Sequence, residues 1–395
     1  MIGPSAAQIE PFEPLPVVPC VPEETRPART PLVRDLGDGH HAVTFLWHGE
    51  AERVLVLVNT VAEGHRDDLG PVSMERIEGT DVWHRTFRCR SDLRATYQLY
   101  PAHGPVDAAD PEVWAHVRRR AIPDPLNPDR LPSWIPGAVT SVLELPGAPP
   151  QPWLRPRPGV PAGAVTGHRV PSAALGGDRT VHVYVPAAGP AGGEPYDLIV
   201  LLDGDLWTGA VPFAPTLDNL IAEGRIPPAV ALMPASGGYT ARNAELGGDE
   251  AFLEFLTREL PEWAAARLPV TADPGRSVIA GQSLGGRAAA AAALRAPGRY
   301  GRVIAQSGAF WLDGESLTRG VRPSPVRFHL EVGRCEWRLR PAVLRFRDAL
   351  RATGHDAAYR EYTGGHDLAC WRGGLADALR ALARPGTGVQ HEGVR

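Results

Sequence analysis

The stretch Gly281-Gln282-Ser283-Leu284-Gly285-Gly286 constrains this chain more than any other. It follows Ser277-Val278-Ile279-Ala280, a short apolar run suited to a buried parallel strand. It precedes an alanine-rich run, 287–294, that favours helix. A strand that enters a helix through G-x-S-x-G makes a sharp corner and lifts the serine clear of both elements. Side chains flanking the serine would collide with the neighbouring strand and helix, so glycine stands there. The helix N-terminus after Ser283 aims backbone N–H groups and a positive dipole end at an oxyanion formed beside it. The stretch predicts a nucleophilic serine at the carboxyl end of a parallel strand.

The surrounding text agrees. Residues 180–185, 198–202, 229–233, 302–305, 326–332 and 357–362 read as strands. The run 198–202 is wholly apolar, as a strand buried on both faces should be. Residues 216–223, 250–266 (with a kink or break at Pro261), 342–353 and 375–383 read as helices. This alternation predicts an α/β catalytic domain over 163–385 with a central, mostly parallel sheet, followed by a tail, 386–395. The first half differs. Residues 1–38 are rich in Pro, Glu and Ala and read as a tail. Residues 41–47, 53–58, 82–87 and 96–100 alternate as short strands, predicting an N-terminal immunoglobulin-like β-sandwich over 39–122. A proline-rich connection, 123–162, joins the two, with 140–145 able to pair as an edge strand.

A chain of 395 residues is too long for one core in most folds, in keeping with two domains. The balance of 41 basic and 45 acidic residues points to neither a nucleic-acid nor a membrane surface. There is no lysine, so every fixed side-chain cation is an arginine, suited to planar recognition of anions. No apolar stretch is long enough to span a bilayer, and residues 1–20 lack the basic start and apolar core of a secretory signal. Cys20, Cys89, Cys335 and Cys370 form no C-x-x-C pair, which suits a reduced cytoplasmic protein, a monomer or small homo-oligomer.

A serine hydroxyl needs a base. In an α/β-hydrolase the base lies on the loop after the last strand, where Gly364-Gly365-His366-Asp367 stands, the two glycines freeing the loop. The acid that orients the base should lie between Ser283 and His366, and Asp313, Glu331, Glu336 and Asp356 are available. Glu331 alternates within a strand and Asp356 precedes one. Glu336 follows the penultimate strand past the turn at Gly333 and is the acid expected; an ion pair with Arg334 or Arg338 is its other use. Asp367 is expected to fix its own loop. The oxyanion donors expected are the N–H of Leu284 and an N–H of the loop Asp203-Gly204-Asp205-Leu206-Trp207, here Asp205.

Taken together these residues resemble the enterochelin esterase family. The resemblance covers nearly the whole chain after the tail. It is carried by Gly79-Thr80-Asp81-Val82-Trp83-His84, Asp92-Leu93-Arg94-Ala95-Thr96-Tyr97, Asp124-Pro125-Leu126-Asn127-Pro128 and Gln151-Pro152-Trp153. Further on come Leu202-Asp203-Gly204 with Trp207, Arg242 with Glu245-Leu246, the elbow, Gln306-Ser307-Gly308 with Trp311, and Gly365-His366-Asp367 with Trp371-Arg372. The resemblance implies an N-terminal sandwich that helps shape the substrate pocket. It also implies hydrolysis of a triserine trilactone carrying catechol amides, free or iron-bound. No cofactor or metal is implied for catalysis; iron arrives with the substrate. Trp207, Trp311 and Trp337 are expected to meet flat catechols, and Arg242 and Arg334 the anionic ferric complex. The arginines at 334, 338 and 340 crowd the acid loop, a departure that leaves the native siderophore open. Acyl transfer or macrolactone processing is an alternative within enzymes, and a catalytically inactive siderophore-binding protein is one of another class.

Overall fold

The computed structural model describes residues 15–383, apart from 66, 105, 108–111 and 134–136. The expected tail at 386–395 and the first part of the expected tail at 1–38 lie outside these residues. The chain opens with strands β1 (Leu32–Asp35), β2 (His40–His48), β3 (Arg53–Val58), β4 (Glu75–Arg76), β5 (Val82–Arg90) and β6 (Arg94–Ala102). Helix α1 (Val113–Arg120) and strands β7 (Arg130–Pro132) and β8 (Val139–Glu144) follow. They form two antiparallel sheets, in the orders β1-β2-β5-β4 and β3-β6-β8-β7. One core serves both sheets: Val43, Phe45 and Phe87 of the first pack with Val56, Tyr97, Leu99 and Leu143 of the second. Phe45 meets the edge of Tyr97 at 4.7 Å between ring centroids.

Two expectations need correction. The residues expected as a tail supply β1, which pairs along β2 from Leu32↔Thr44 to Asp35↔His41. The segment 140–145, expected at an edge, lies inside the second sheet between β6 and β7. The reason is a buried polar knot in the proline-rich text. Asp124 and Asn127 are buried, and the Tyr97 hydroxyl donates to Asp124 at 2.7 Å while Asn127 donates to Tyr97 at 3.0 Å. Proline composition hid β7 and made β8, which these residues fasten to the sheet, look like an edge strand.

The second half carries β9 (Ala164–Ser172), β10 (Gly177–Val185), β11 (Asp197–Leu201), α2 (Gly204–Thr208), α3 (Ala214–Ala222), β12 (Ala229–Pro234), α4 (Tyr239–Leu246), α5 (Glu250–Glu254) and α6 (Leu260–Ala265). It continues with β13 (Ser277–Gln282), α7 (Leu284–Arg295), β14 (Arg302–Gln306), α8 (Ser316–Arg319), β15 (Arg327–Gly333), α9 (Arg340–Ala352), β16 (Ala357–Tyr362) and α10 (Leu368–Ala383). The eight strands form one mixed sheet in the order β16-β15-β14-β13-β11-β12-β10-β9. It is parallel from β16 to β12, and antiparallel where β10 meets β12 and β9. Period-two alternation sends Leu198 and Val200 to a core lined by α7 and α9, and Ile199 and Leu201 to a core lined by α3 and α10. Apolar side chains are thus needed on both faces, which is why β11 reads as an unbroken apolar run.

Candidate active site

β13 delivers Ser283 to the N-terminus of α7 with φ 58° and ψ −120°, a region rarely occupied outside glycine. Three backbone bonds hold it there. Its N–H donates to the Gln306 carbonyl at 2.9 Å, and its own carbonyl accepts from Ala309 N–H at 3.0 Å and Arg287 N–H at 3.2 Å. A Cβ on Gly281 would stand 2.4 Å from the Gly285 carbonyl, so the corner closes only with glycine.

The neighbouring strands bring the other expected groups to the same edge. β13, β14, β15 and β16 run in parallel, with Gln282 beside Gln306, Gln306 beside Glu331, and Gly333 beside Tyr362. Their carboxyl ends release Ser283, Ser307, the loop with Glu336 and the loop with His366. His366 Nδ1 lies 2.7 Å from Glu336 Oε2. Glu336 is fully buried, and its Oε1 accepts from the Ser307 hydroxyl at 2.6 Å, Gly333 N–H at 2.8 Å and the Tyr362 hydroxyl at 3.0 Å. With the carboxylate accepting, the imidazole proton sits on Nδ1 and Nε2 keeps its lone pair. The Trp371 ring stands edge-on to His366, 4.6 Å between centroids, and its indole N–H points at Ser307 Oγ and the Tyr362 hydroxyl. Burial, with the Glu336 charge beside it, pushes the Tyr362 hydroxyl well above the usual phenol range, so it stays a neutral donor. Ser283 Oγ makes no hydrogen bond among the described residues; such contacts often tighten only when substrate is bound.

The other acids are committed elsewhere. Asp313 accepts from Arg287 at 2.7 Å, and Asp356 from Arg327 at 2.9 Å. Glu331 accepts from Gln306 at 2.8 Å and lies 3.1 Å from His329 Nε2. Asp367 accepts from the backbone and hydroxyl of Thr96 and from Ala369 N–H, all within or beside its own loop. The arginines of the acid loop do not turn to Glu336. Arg340 donates to Glu361 at 3.0 Å, Arg334 lies 3.6 Å from the same carboxylate, and the Arg338 guanidinium lies 4.6 Å above the Trp337 ring.

The loop after β11 contains Asp203 in the left-handed region, φ 62°, at the N-terminus of α2. Asp205 N–H and Leu284 N–H fall in the first turns of α2 and α7, where no intrahelical carbonyl is available to them. The Asp205 carboxylate accepts from Ser236 N–H at 2.9 Å. Two expected ligand contacts are overturned here. Trp207 is 1% exposed and packs on Phe213 in the core between the sheet and α3, so its ring has no face for a catechol. Arg242 does not pair with Glu245, which binds Arg179 instead. It grips Asp203 with two bonds, 2.6 Å from Nε to Oδ1 and 2.7 Å from NH2 to Oδ2, with only 13% of its side chain exposed. Trp311 and Trp337 are half-buried and Arg334 is about half exposed, leaving surface for a ligand.

Sequence reasoning passed over the roles of Tyr362 and Ser307 as donors to Glu336, and of Asn59 and Thr60 beside His366. Ser307 carried a signal, since Gln306-Ser307 repeats at the end of β14 the Gln282-Ser283 pair at the end of β13. Asn59-Thr60 carried none: it reads as a turn after an apolar strand.

Comparison with known proteins follows this geometry. A family model described as "Enterochelin esterase, N-terminal" matches residues 42–154, and one described as "Putative esterase" matches residues 172–382. The chain is 34% identical to the iron(III) enterobactin esterase of Dickeya dadantii, over 89% of this chain and 90% of that protein. It is also 34% identical to that of Escherichia coli K12, over 89% and 93%. The iron(III) salmochelin esterase of an E. coli O6:H1 strain is 28% identical over 91% and 92%. Among solved structures, the ferric enterobactin esterase of Salmonella typhimurium superposes with a TM-score of 0.80 at 31% identity, covering 89% of this chain and 96% of that one. The Shigella flexneri enterobactin esterase, crystallised in the presence of enterobactin, gives 0.78 at 31% identity over 89% and 95%.

Proposed function

Because this chain belongs to the enterochelin esterase family, we propose that it is a serine esterase that hydrolyses the trilactone ester bonds of a catecholate siderophore, free or ferric. Ser283 Oγ attacks the ester carbonyl carbon and its proton passes to His366 Nε2. Leu284 N–H and Asp205 N–H stabilise the oxyanion. The bond to the alkoxide oxygen of the adjoining serine unit then breaks, and that oxygen takes the proton from the imidazolium. Water, deprotonated by the same imidazole, attacks the acyl-enzyme; the proton returns to Ser283 and a carboxylate leaves. Glu336 holds the imidazole in its Nδ1–H tautomer and offsets the positive charge that forms on it. The chain's own groups carry every step, and iron is cargo of the substrate. The observation that carries this reading is the 2.7 Å contact between His366 and a fully buried Glu336, at the sheet edge where the strained Ser283 emerges.

Trp311 and Trp337 offer half-buried rings to the catechols, and Arg334 a charge to the ferric complex. We read the two N-terminal sheets as an immunoglobulin-like sandwich on the strength of their shared core. The four free thiols suit a reducing, cytoplasmic setting. No helix among the described residues is long and apolar enough to cross a membrane. The test is a mass spectrum of products from ferric and iron-free enterobactin. Linear catecholoyl-serine fragments, whose summed mass exceeds that of the trilactone by one water per ester opened, are expected from the native protein. Ser283→Ala should form them several orders of magnitude more slowly. An unchanged trilactone with the native protein, or full activity in Ser283→Ala, would overturn the proposal.

A further inference from the structure

The loop that carries His366 is held from the other side of the molecule. His366 N–H donates to Thr60 Oγ1 at 2.7 Å, and the His366 carbonyl accepts from Asn59 Nδ2 at 2.9 Å. The Thr60 hydroxyl in turn donates to Asn59 Oδ1 at 3.3 Å. Two adjacent side chains at the end of β3 thus close a ring of hydrogen bonds around the backbone of one residue 306 positions away. The grip continues on both flanks. Arg94 N–H donates to the Thr363 carbonyl at 3.1 Å, the Thr363 hydroxyl donates to Asp92 at 3.0 Å, and Thr96 donates twice to Asp367. Every one of these partners belongs to the N-terminal sheets or the turns beside them.

Two local irregularities exist for this contact. A Cβ on Gly365 would stand 2.2 Å from Thr60 Oγ1 and 2.9 Å from the Asn59 carbonyl, and one on Gly364 would stand 2.6 Å from the Arg94 carbonyl. Neither glycine has a positive φ. They are therefore required for close approach of the N-terminal sheet and not, as expected from the sequence, to free the loop. Thr60 itself has φ 67°, an outlier for a β-branched residue. Backbone strain of this kind persists only where the surroundings over-determine it.

We propose that Thr60 and Asn59 are positioning residues for His366, so that the N-terminal sheets hold the general base of the esterase as well as walling its substrate. The proposal rests on His366 being that base. Nothing within the α/β half donates to or accepts from the His366 main chain among the described residues, so the N-terminal sheets place the backbone that carries the ring while Glu336 orients the ring itself. A misplacement of about 1 Å at a reacting group lowers rate by up to roughly 100-fold.

The experiment uses the full chain and p-nitrophenyl acetate, an ester too small to depend on the siderophore pocket. The variants are Thr60→Val, Thr60→Ser, Thr60→Gly, Asn59→Ala and His366→Ala, each with kcat, KM and Tm measured. Thr60→Val and Asn59→Ala should lower kcat by about 10- to 100-fold with KM within about twofold of wild type. Thr60→Ser, which keeps the oxygen, should restore most of kcat. Thr60→Gly should relieve the strained φ and hold Tm at or above that of Thr60→Val, yet lose kcat as Thr60→Val does. If His366→Ala is inactive while Thr60→Val and Asn59→Ala keep more than about half of kcat, the positioning role is refuted. A loss in Thr60→Ser equal to that in Thr60→Val would refute it as well. Full activity in His366→Ala would instead refute the reading of His366 as base.

Discussion

Arg242→Gln separates two uses of a buried cation. In the structure the guanidinium and the Asp203 carboxylate, 13% and 3% exposed, are joined by two hydrogen bonds of 2.6 and 2.7 Å. Among the described residues Ser236 Oγ is the other donor to Asp203, at 2.7 Å. Removing the arginine leaves a nearly buried carboxylate with a single neutral partner, a lesion that costs about 3–5 kcal/mol. For a catalytic unit of this size that is a fall in Tm of about 6–20 °C. Asp203 also begins α2, so its displacement moves the Asp205 N–H, the proposed oxyanion donor, and loss of one such donor lowers kcat by up to roughly 10²–10³. All esters should suffer alike, large or small, ferric or iron-free. Asp203→Asn/Arg242→Gln should recover much of the stability, because the stranded charge is gone and asparagine tolerates the left-handed backbone. The assays are thermal unfolding of both variants and binding of ferric and iron-free enterobactin in the Ser283→Ala background. An unchanged Tm together with weaker binding of the ferric ligand alone would refute the argument and return Arg242 to the reading of substrate charge.

Glu336→Gln should lower kcat by less than His366→Ala does, because in the proposed mechanism the carboxylate orients and stabilises while the imidazole carries the proton. Asp313→Asn, whose residue pairs with Arg287 on α7, should leave kcat near wild type, and a larger loss there than in Glu336→Gln would overturn the acid assignment. Burial alone would raise the Glu331 carboxyl, but His329, Gln306 and Arg360 outweigh it and hold it below the ordinary glutamate value of 4.5. Its folded value therefore lies below its unfolded one, and its contribution to stability is present above about pH 4.5 and fades as pH falls through the lower value. Urea unfolding at pH 7 and pH 4 should show a smaller loss on acidification in Glu331→Gln than in wild type; equal losses would sink the idea.

What could be read from the sequence is what local patterns encode. The corner at Ser283 announces itself through Gly281, whose missing side chain lets the Gly285 carbonyl approach. The apolar run of β11 announces a strand covered on both faces, and the structure places it in the middle of the eight-stranded sheet. Which acid meets His366 was also readable, since only Glu336 follows a turn at the carboxyl end of a strand next to β16. Composition misled where tertiary bonds override it. The proline-rich text around Asp124 hides β7 and makes β8 look like an edge strand, and the apparent tail hides β1. Trp207 was expected to stack on a catechol because it accompanies Leu202-Asp203-Gly204 in the family resemblance, yet a five-residue helix turns it inward onto Phe213.

The contacts that escaped sequence reasoning share one property: both partners are ordinary in their own neighbourhoods. Thr60 follows a β-strand and Gly365 sits in a polar loop, and each alone reads as a turn. Only their meeting explains why the loop needs glycine at a normal φ and why a threonine endures a positive one. The same holds for the acid loop. Arg334 was expected to meet an anionic ligand and Arg340 to crowd the same loop, but both sit beside Glu361, the next-to-last residue of β16, so much of that charge is balanced within the fold. A ferric catecholate approaching this face would meet a cation already shared with Glu361. The recognition of siderophore charge should therefore depend on salt less steeply than the three arginines of the loop suggest, because only the unshared part of their field reaches the ligand.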